Sequence, residues 1–179
     1  MTEFQRTYGG ALYELSREEG KEEETLSELA SVSAIIEGYP DFTKLMGVVS
    51  IPLEERLASL DKVFRGRVCP YLLNFMKLLS EKGRFGELSG CLKAYRARYN
   101  ADNGIAEAEA VSAGKLSEEE ASLLKEKLEK LSGKKIVLTL REDPSILGGV
   151  RVSMEGKQYD GSVRHRLEEI EKSLADRVL

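Results

Sequence analysis

Ile136–Ile170 reads IVLTLREDPSILGGVRVSMEGKQYDGSVRHRLEEI. Two short apolar-alternating runs, Ile136–Leu140 and Val150–Met154, have the period-two pattern of half-buried strands. Between them Asp143-Pro144-Ser145 is a turn, because Pro144 presets φ and the Asp143 carboxylate can accept from the turn backbone. Gly148 and Gly149 free the approach to the second strand to bend, or let another backbone come close. A second turn is expected at Tyr159-Asp160-Gly161-Ser162, where Asp160 or Ser162 can cap a following helix. No group in the stretch is a reaction centre, so it reads as scaffold.

Upstream, Ile105–Ala113 alternates apolar and polar residues and predicts another strand, although Ala and Glu are modest strand formers. Ser117-Glu118-Glu119-Glu120 is a capping box. It opens a helix running to about Ser132, with Leu116, Leu123, Leu124, Leu128 and Leu131 expected inward and Gly133 as its stop. A last helix is expected over Ser162–Leu174, its stripe being Val163, Leu167, Ile170 and Leu174. Residues 105–179 thus form a small α/β unit, marginal in size for a core of its own.

Residues 1–104 have a helical period instead. Phe4, Tyr8, Ala11, Leu12 and Leu15 form one stripe, and Leu29, Val32, Ser33 and Ile36 another. Pro52 and Pro70 sit at helix starts, and Gly20, Gly38 and Gly83 at helix ends. Leu88, Cys91, Leu92, Tyr95 and Tyr99 make a sixth helix ending near Asn103-Gly104. The expected architecture is mainly α, an N-terminal six-helix bundle followed by a small α/β domain. Gly9 and Gly10 each weaken the first helix by about 1 kcal/mol relative to Ala. They predict a frayed helix, or one set only when a partner binds.

The chain has 179 residues, a net charge of −4, 41% hydrophobic residues and no Trp. With that charge no broad positive field exists to hold a phosphate backbone, so nucleic-acid binding is not expected. Cys69 and Cys91 lack a CxxC spacing and read as reduced, mostly buried thiols, a disulfide or redox switch being the functional alternative. No run of apolar residues is long enough for a membrane span, and Met1–Gly10 is too polar for a signal peptide. Work at a membrane would require another protein to hold this one there.

Candidate chemistry is sparse. His165 stands between Arg164 and Arg166 without an acid partner and reads as a solvated side chain or a partner contact. Gly148-Gly149 precedes a strand and is not followed by Lys-Ser or Lys-Thr, so no phosphate loop is formed. The acidic runs at Glu18–Glu24 and Glu118–Glu120 suit helix starts. A small hydrolase built on Asp143, Asp160 and His165 is disfavoured, and no catalytic, metal or cofactor residue is assigned. One apolar feature stands apart. On the fifth helix Leu72, Phe75, Met76 and Leu79 share a stripe, while Leu78 lies about 120° round from Leu72, beside Tyr71 and Asn74. Two readings stay open: a groove for an amphipathic helix, or a wide core stripe.

The stretch Asp143-Pro144-Ser145-Ile146-Leu147-Gly148-Gly149-Val150, continued by Val152 and Asp160-Gly161-Ser162, resembles the C-terminal signature of the delta-subunit (OSCP) family of F-type ATP synthases. Tyr8–Leu15 resembles the opening helix of that family, Leu79–Phe85 its fifth-to-sixth helix junction, and Val111–Ser117 its entry to the C-terminal region. Gly9 and Gly10 depart from it, standing where the family usually has Ala and a longer residue. The resemblance implies a non-catalytic stator subunit that links the catalytic head to the peripheral stalk and resists torque during proton-driven ATP synthesis. It implies that residues 1–104 bind the N-terminal helix of an alpha subunit through Tyr8, Ala11, Asn74 and Leu78. It implies that residues 105–179 bind the C-terminal region of the b subunits, with Asp143, Gly148, Gly149, Asp160, Gly161 and Ser162 as structural signature residues. The expected location is the cytoplasmic face of the bacterial plasma membrane, reached only through the complex. The alternative is a soluble helical adaptor that binds an amphipathic helix in another assembly.

Overall fold

The computed structural model describes residues 1–48, 51–146 and 148–161. The helix expected over Ser162–Leu174, with Ser162 and His165, lies outside the described residues. The protein is mainly helical, with a small four-stranded sheet towards its C-terminal end. Two compact units divide it, Met1–Tyr99 and Asn100–Leu179.

In the first unit α1 spans Glu3–Glu18, α2 Glu22–Gly38, α3 Pro40–Gly47, α4 Leu53–Phe64 and α5 Pro70–Glu81. A single 3-10 turn, Phe85–Glu87, leads into α6, Leu88–Asp102, whose residues after Tyr99 belong to the second unit. The punctuation follows local chemistry. Pro40 and Pro70 each occupy the first helical position, where the missing N–H costs nothing. Thr2 and Gln5 close a reciprocal capping box on α1. Leu12, Leu29, Val32, Leu60, Leu72, Met76, Leu79, Phe85 and Tyr95 share one core. Arg56, on the first turn of α4, is also buried and donates from Nη1 to the carbonyls of Met46 at 2.7 Å and Ser80 at 3.0 Å. Those carbonyls belong to the last turns of α3 and α5, whose acceptors have no partner within their own helices.

The second unit adds β1 (Ile105–Ser112), α7 (Glu118–Ser132), β2 (Lys135–Glu142), β3 (Val150–Met154) and β4 (Lys157–Asp160). The sheet order is β2-β1-β3-β4. β1 pairs in parallel with β2 and antiparallel with β3, while β3 and β4 form a hairpin. The alternation read in β1 places Ala106, Ala108 and Ala110 in a core with Ile136, Val152, Met154 and Leu128 of α7. The Ser117–Glu120 capping box starts α7, and Gly133 at φ 69° ends it.

Three expectations are corrected. Gly9 and Gly10 do not fray α1, which runs unbroken across them with both buried. Tyr159 and Asp160 are not a turn. They lie in β4, opposite Val152 and Arg151, and the reversal occurs earlier at Glu155 (φ 50°) and Gly156 (φ 77°). Positive φ at both loop residues gives the turn whose twist matches the flanking strands. Asp160 accepts from Arg151 Nε at 3.2 Å, and the helix it is expected to cap lies outside the described residues. Leu123 and Leu131 do not face inward from α7 but are 54% and 62% exposed. The Asp143 turn forms as expected: Ser145 N–H donates to the Asp143 carboxylate at 2.9 Å, and Ile146 N–H to its carbonyl at 3.1 Å. The Ser145 hydrogen bonds hold the Asp143 carboxyl below its usual range. Gly148 and Gly149 follow with φ of 118° and 86°, a region only glycine enters freely.

Candidate functional site

α1 has two apolar faces. Gly9, Leu12, Tyr13 and Ser16 are buried. Phe4, Tyr8, Ala11 and Leu15 fall within about 60° of one another and about 120° round from the buried set, at about 100° per residue. Phe4 and Tyr8 are half-buried and stacked, with ring centroids 4.1 Å apart. Ala11 is exposed and Leu15 is 44% exposed. The single stripe read from the sequence thus splits: Leu12 turns into the core, Phe4 and Tyr8 pack partly against it, and Ala11 and Leu15 face out.

Three contacts fix the rotation of α1. At its start the Thr2 hydroxyl donates to Glu87 at 2.9 Å, and the Arg84 guanidinium lies 5.6 Å from the centre of the Phe4 ring. Hydrogen bonds from Arg84 and Thr2 hold the Glu87 carboxyl below its usual range. In the middle, Gly9 lies against α6: a Cβ there would collide with the Cys91 carbonyl oxygen and stand 2.8 Å from Ala94 Cβ. Opposite it, a Cβ at Gly90 would overlap the Gln5 carboxamide. At its end the Ser16 and Tyr95 hydroxyls are 2.5 Å apart, Tyr95 donates to the Glu22 carbonyl at 2.9 Å, and the Tyr13 and Tyr95 rings meet edge-on at 5.4 Å. Burial pushes the Tyr95 hydroxyl pKa up, so it remains a neutral donor.

On α5, Asn74 is exposed and Leu78 half-buried. Asn74 borders a cleft of about 570 Å³ whose walls include Lys21, Glu28, Asp61, Cys69 and Lys77. Lys77 is tied to Asp61 at 2.7 Å, and the Tyr71 hydroxyl shares a 2.8 Å hydrogen bond with Thr25 of α2. Burial raises the Tyr71 pKa to about 12. The close contacts of α1 described above run to α6 and to the segment after α5. Tyr8 and Ala11 are brought together on one strip, and no hydrogen bond or ring contact joins them to Asn74 and Leu78. Both cysteines are free, Cys91 buried with its thiol pushed up to about 12 and Cys69 half-buried.

Sequence reasoning missed a second cleft, this one apolar and of about 530 Å³, where the end of α2 and the start of α3 meet α4. Ile35, Tyr39, Leu45 and Val63 line it and are exposed. The adjacent Ile35-Ile36 pair was its signal, since neighbours on a helix point about 100° apart and only one can face the core. Among the described residues no three His, Cys, Asp or Glu side chains are grouped to hold a metal, and no helix is long and apolar enough to cross a membrane.

Residues 4–174 match the family model described as ATP synthase delta (OSCP) subunit. The chain is similar to the ATP synthase subunit delta of Alkaliphilus oremlandii, 32% identical over 95% of this chain and 94% of the relative. It is also similar to that of Brevibacillus brevis, 32% identical over 91% and 93%. Among solved structures it resembles a chain of the Toxoplasma gondii mitochondrial ATP synthase hexamer, with a TM-score of 0.75 over 97% of this chain and 98% of that one. At 16% identity that likeness speaks for the fold.

Proposed function

Because the chain belongs to the ATP synthase delta (OSCP) subunit family, we infer that it is a non-catalytic stator subunit of an F-type ATP synthase, linking the catalytic head to the peripheral stalk. The end-to-end family match carries this reading and favours it over an adaptor of some other assembly. A stator needs two separated binding surfaces and a stiff body between them, and no reaction centre.

We assign the grip on the head to the six helices of residues 1–104. The strip of Phe4, Tyr8, Ala11 and Leu15 on α1 supports this, because on a well-anchored helix it leaves Ala11 and Leu15 exposed beside the half-buried Phe4 and Tyr8. An amphipathic N-terminal helix of an alpha subunit would lie along it, with Tyr8 and Ala11 beneath and Asn74 and Leu78 of α5 along its flank. Residues 105–179 would bind the C-terminal region of the b subunits. Through these partners the protein would sit at the cytoplasmic face of the bacterial plasma membrane.

Calorimetric titration of the full chain with a peptide of the alpha subunit's N-terminal helix, from the same source, tests the assignment. Saturable one-to-one binding is expected, and Ala11→Asp should abolish it by placing an unpaired charge under the peptide. A folded chain that takes up no peptide would remove α1 as the docking face.

A further inference from the structure

We propose that Gly9 is a positioning residue for docking: it seats α1 against α6 and so sets the angle at which the Phe4, Tyr8, Ala11 and Leu15 strip faces the partner helix. This rests on the docking role assigned to that strip. Gly9 and Gly10 are alike in sequence and differ in surroundings. At Gly9 a Cβ would collide with the backbone oxygen of Cys91 and stand 2.8 Å from Ala94 Cβ, neither of which can swing away. At Gly10 the nearest atoms would be those of the flexible Arg98 side chain, at 3.8 Å. Any side chain at position 9 therefore pushes α1 off α6, while a methyl group at position 10 fits. Gly9 lies between the two other anchors of α1, the Thr2–Glu87 contact at its start and the Ser16–Tyr95 contact at its end. A helix held at both ends and lifted in the middle must tilt or roll, and its outward strip moves with it. Tyr95 belongs to the same device, because its hydroxyl joins Ser16 of α1 to the Glu22 carbonyl at the start of α2.

Helix propensity and positioning predict opposite results at Gly9 and agree at Gly10. Ala is the better helix former at both positions. If α1 merely had to be more helical, Gly9→Ala and Gly10→Ala would both tighten binding. If Gly9 positions the strip, Gly10→Ala binds the alpha-subunit peptide at least as well as wild type. Gly9→Ala then loses about ten-fold in affinity, as expected of strain at an overpacked contact. The test is calorimetric titration of the full-length variants, each below its melting temperature and matched for helix content by circular dichroism. A purely stabilising role would lower the melting temperature of Gly9→Ala and leave the affinity of the folded chain unchanged, which would overturn the proposal. Tyr95→Phe, which removes a hydroxyl without changing the packing volume, is the second variant should Gly9→Ala not fold. It too should weaken binding, and wild-type affinity there would count against the proposal. Failure of the wild-type chain to bind, or full binding by Ala11→Asp, would take away the docking role and this inference with it. Wild-type binding that Ala11→Asp abolishes and Gly9→Ala leaves unchanged would remove the inference alone.

Discussion

A guanidinium inside a helical core would be a liability if it were merely buried, yet Arg56 has a use there. It is 9% exposed and has no carboxylate among its hydrogen-bond acceptors. It faces instead the negative ends of two helices, taking one carbonyl from the last turn of α3 and one from the last turn of α5. Arg56→Met should therefore cost about 1–3 kcal/mol in urea unfolding, because it removes the charged donor and leaves the Met46 carbonyl with the 3.3 Å bond from the Ser80 hydroxyl and the Ser80 carbonyl with the Gly83 N–H. Nothing in the sequence announces this, since a lone Arg in Leu53-Glu54-Glu55-Arg56 reads as a solvated charge. Ser117 is the opposite case, legible from its spacing to Glu120. Backbone and side-chain hydrogen bonds from Ser117 hold the Glu120 carboxyl below its usual range. The folded pKa lies below the unfolded one, so this contribution is complete above about pH 4.3. It is lost as the pH falls through the folded value. Ser117→Ala should cost about 1 kcal/mol at neutral pH and flatten that part of the acid limb, as read by unfolding at a series of pH values.

α7 shows what periodicity settles between elements and what it leaves open. Leu124 and Leu128 pack on the sheet, and Leu123 and Leu131 do not, although all four are leucines of one amphipathic helix. Leu128→Ala should destabilise the second unit by about 2–5 kcal/mol, while Leu123→Ala should stay within about 0.5 kcal/mol. The pattern of a helix gives an apolar arc, and only the width of the surface beneath decides how much of the arc is covered. The same limit explains α1, where the arc read from Phe4 to Leu15 is covered along one flank and open along the other. β1 and β3 were legible because alternation against a core is a strong signal. β4 was not, because Lys157-Gln158-Tyr159-Asp160 has no apolar rhythm and is held by its hairpin partner. The Gly9 contact was out of reach as well. A glycine's cost to its own helix is visible in the sequence, and the helix that presses on it is not.

At the scale of the whole molecule, the two cores share no residue among the described ones: one is drawn from Leu12 to Tyr95 and the other from Ala106 to Met154. Leu128→Ala should accordingly speed hydrogen exchange in β1 and β3 and leave the amides of Leu72–Leu79 in α5 as slow as before. Function became legible at this scale, because no single residue carries it and the order of motifs does. The topology of the sheet also bears on how the protein is made. β1 is an inner strand, yet both of its neighbours, β2 and β3, come later in the chain. On the ribosome the helical unit is already complete when Ile105–Ser112 emerges, and that strand then waits seconds for its partners at typical elongation rates. Its small and acidic residues, Ala106, Glu107, Ala108, Glu109 and Ala110, make it a poor template for a neighbouring nascent chain. A strand that pairs weakly by itself keeps its place vacant until the correct edges arrive.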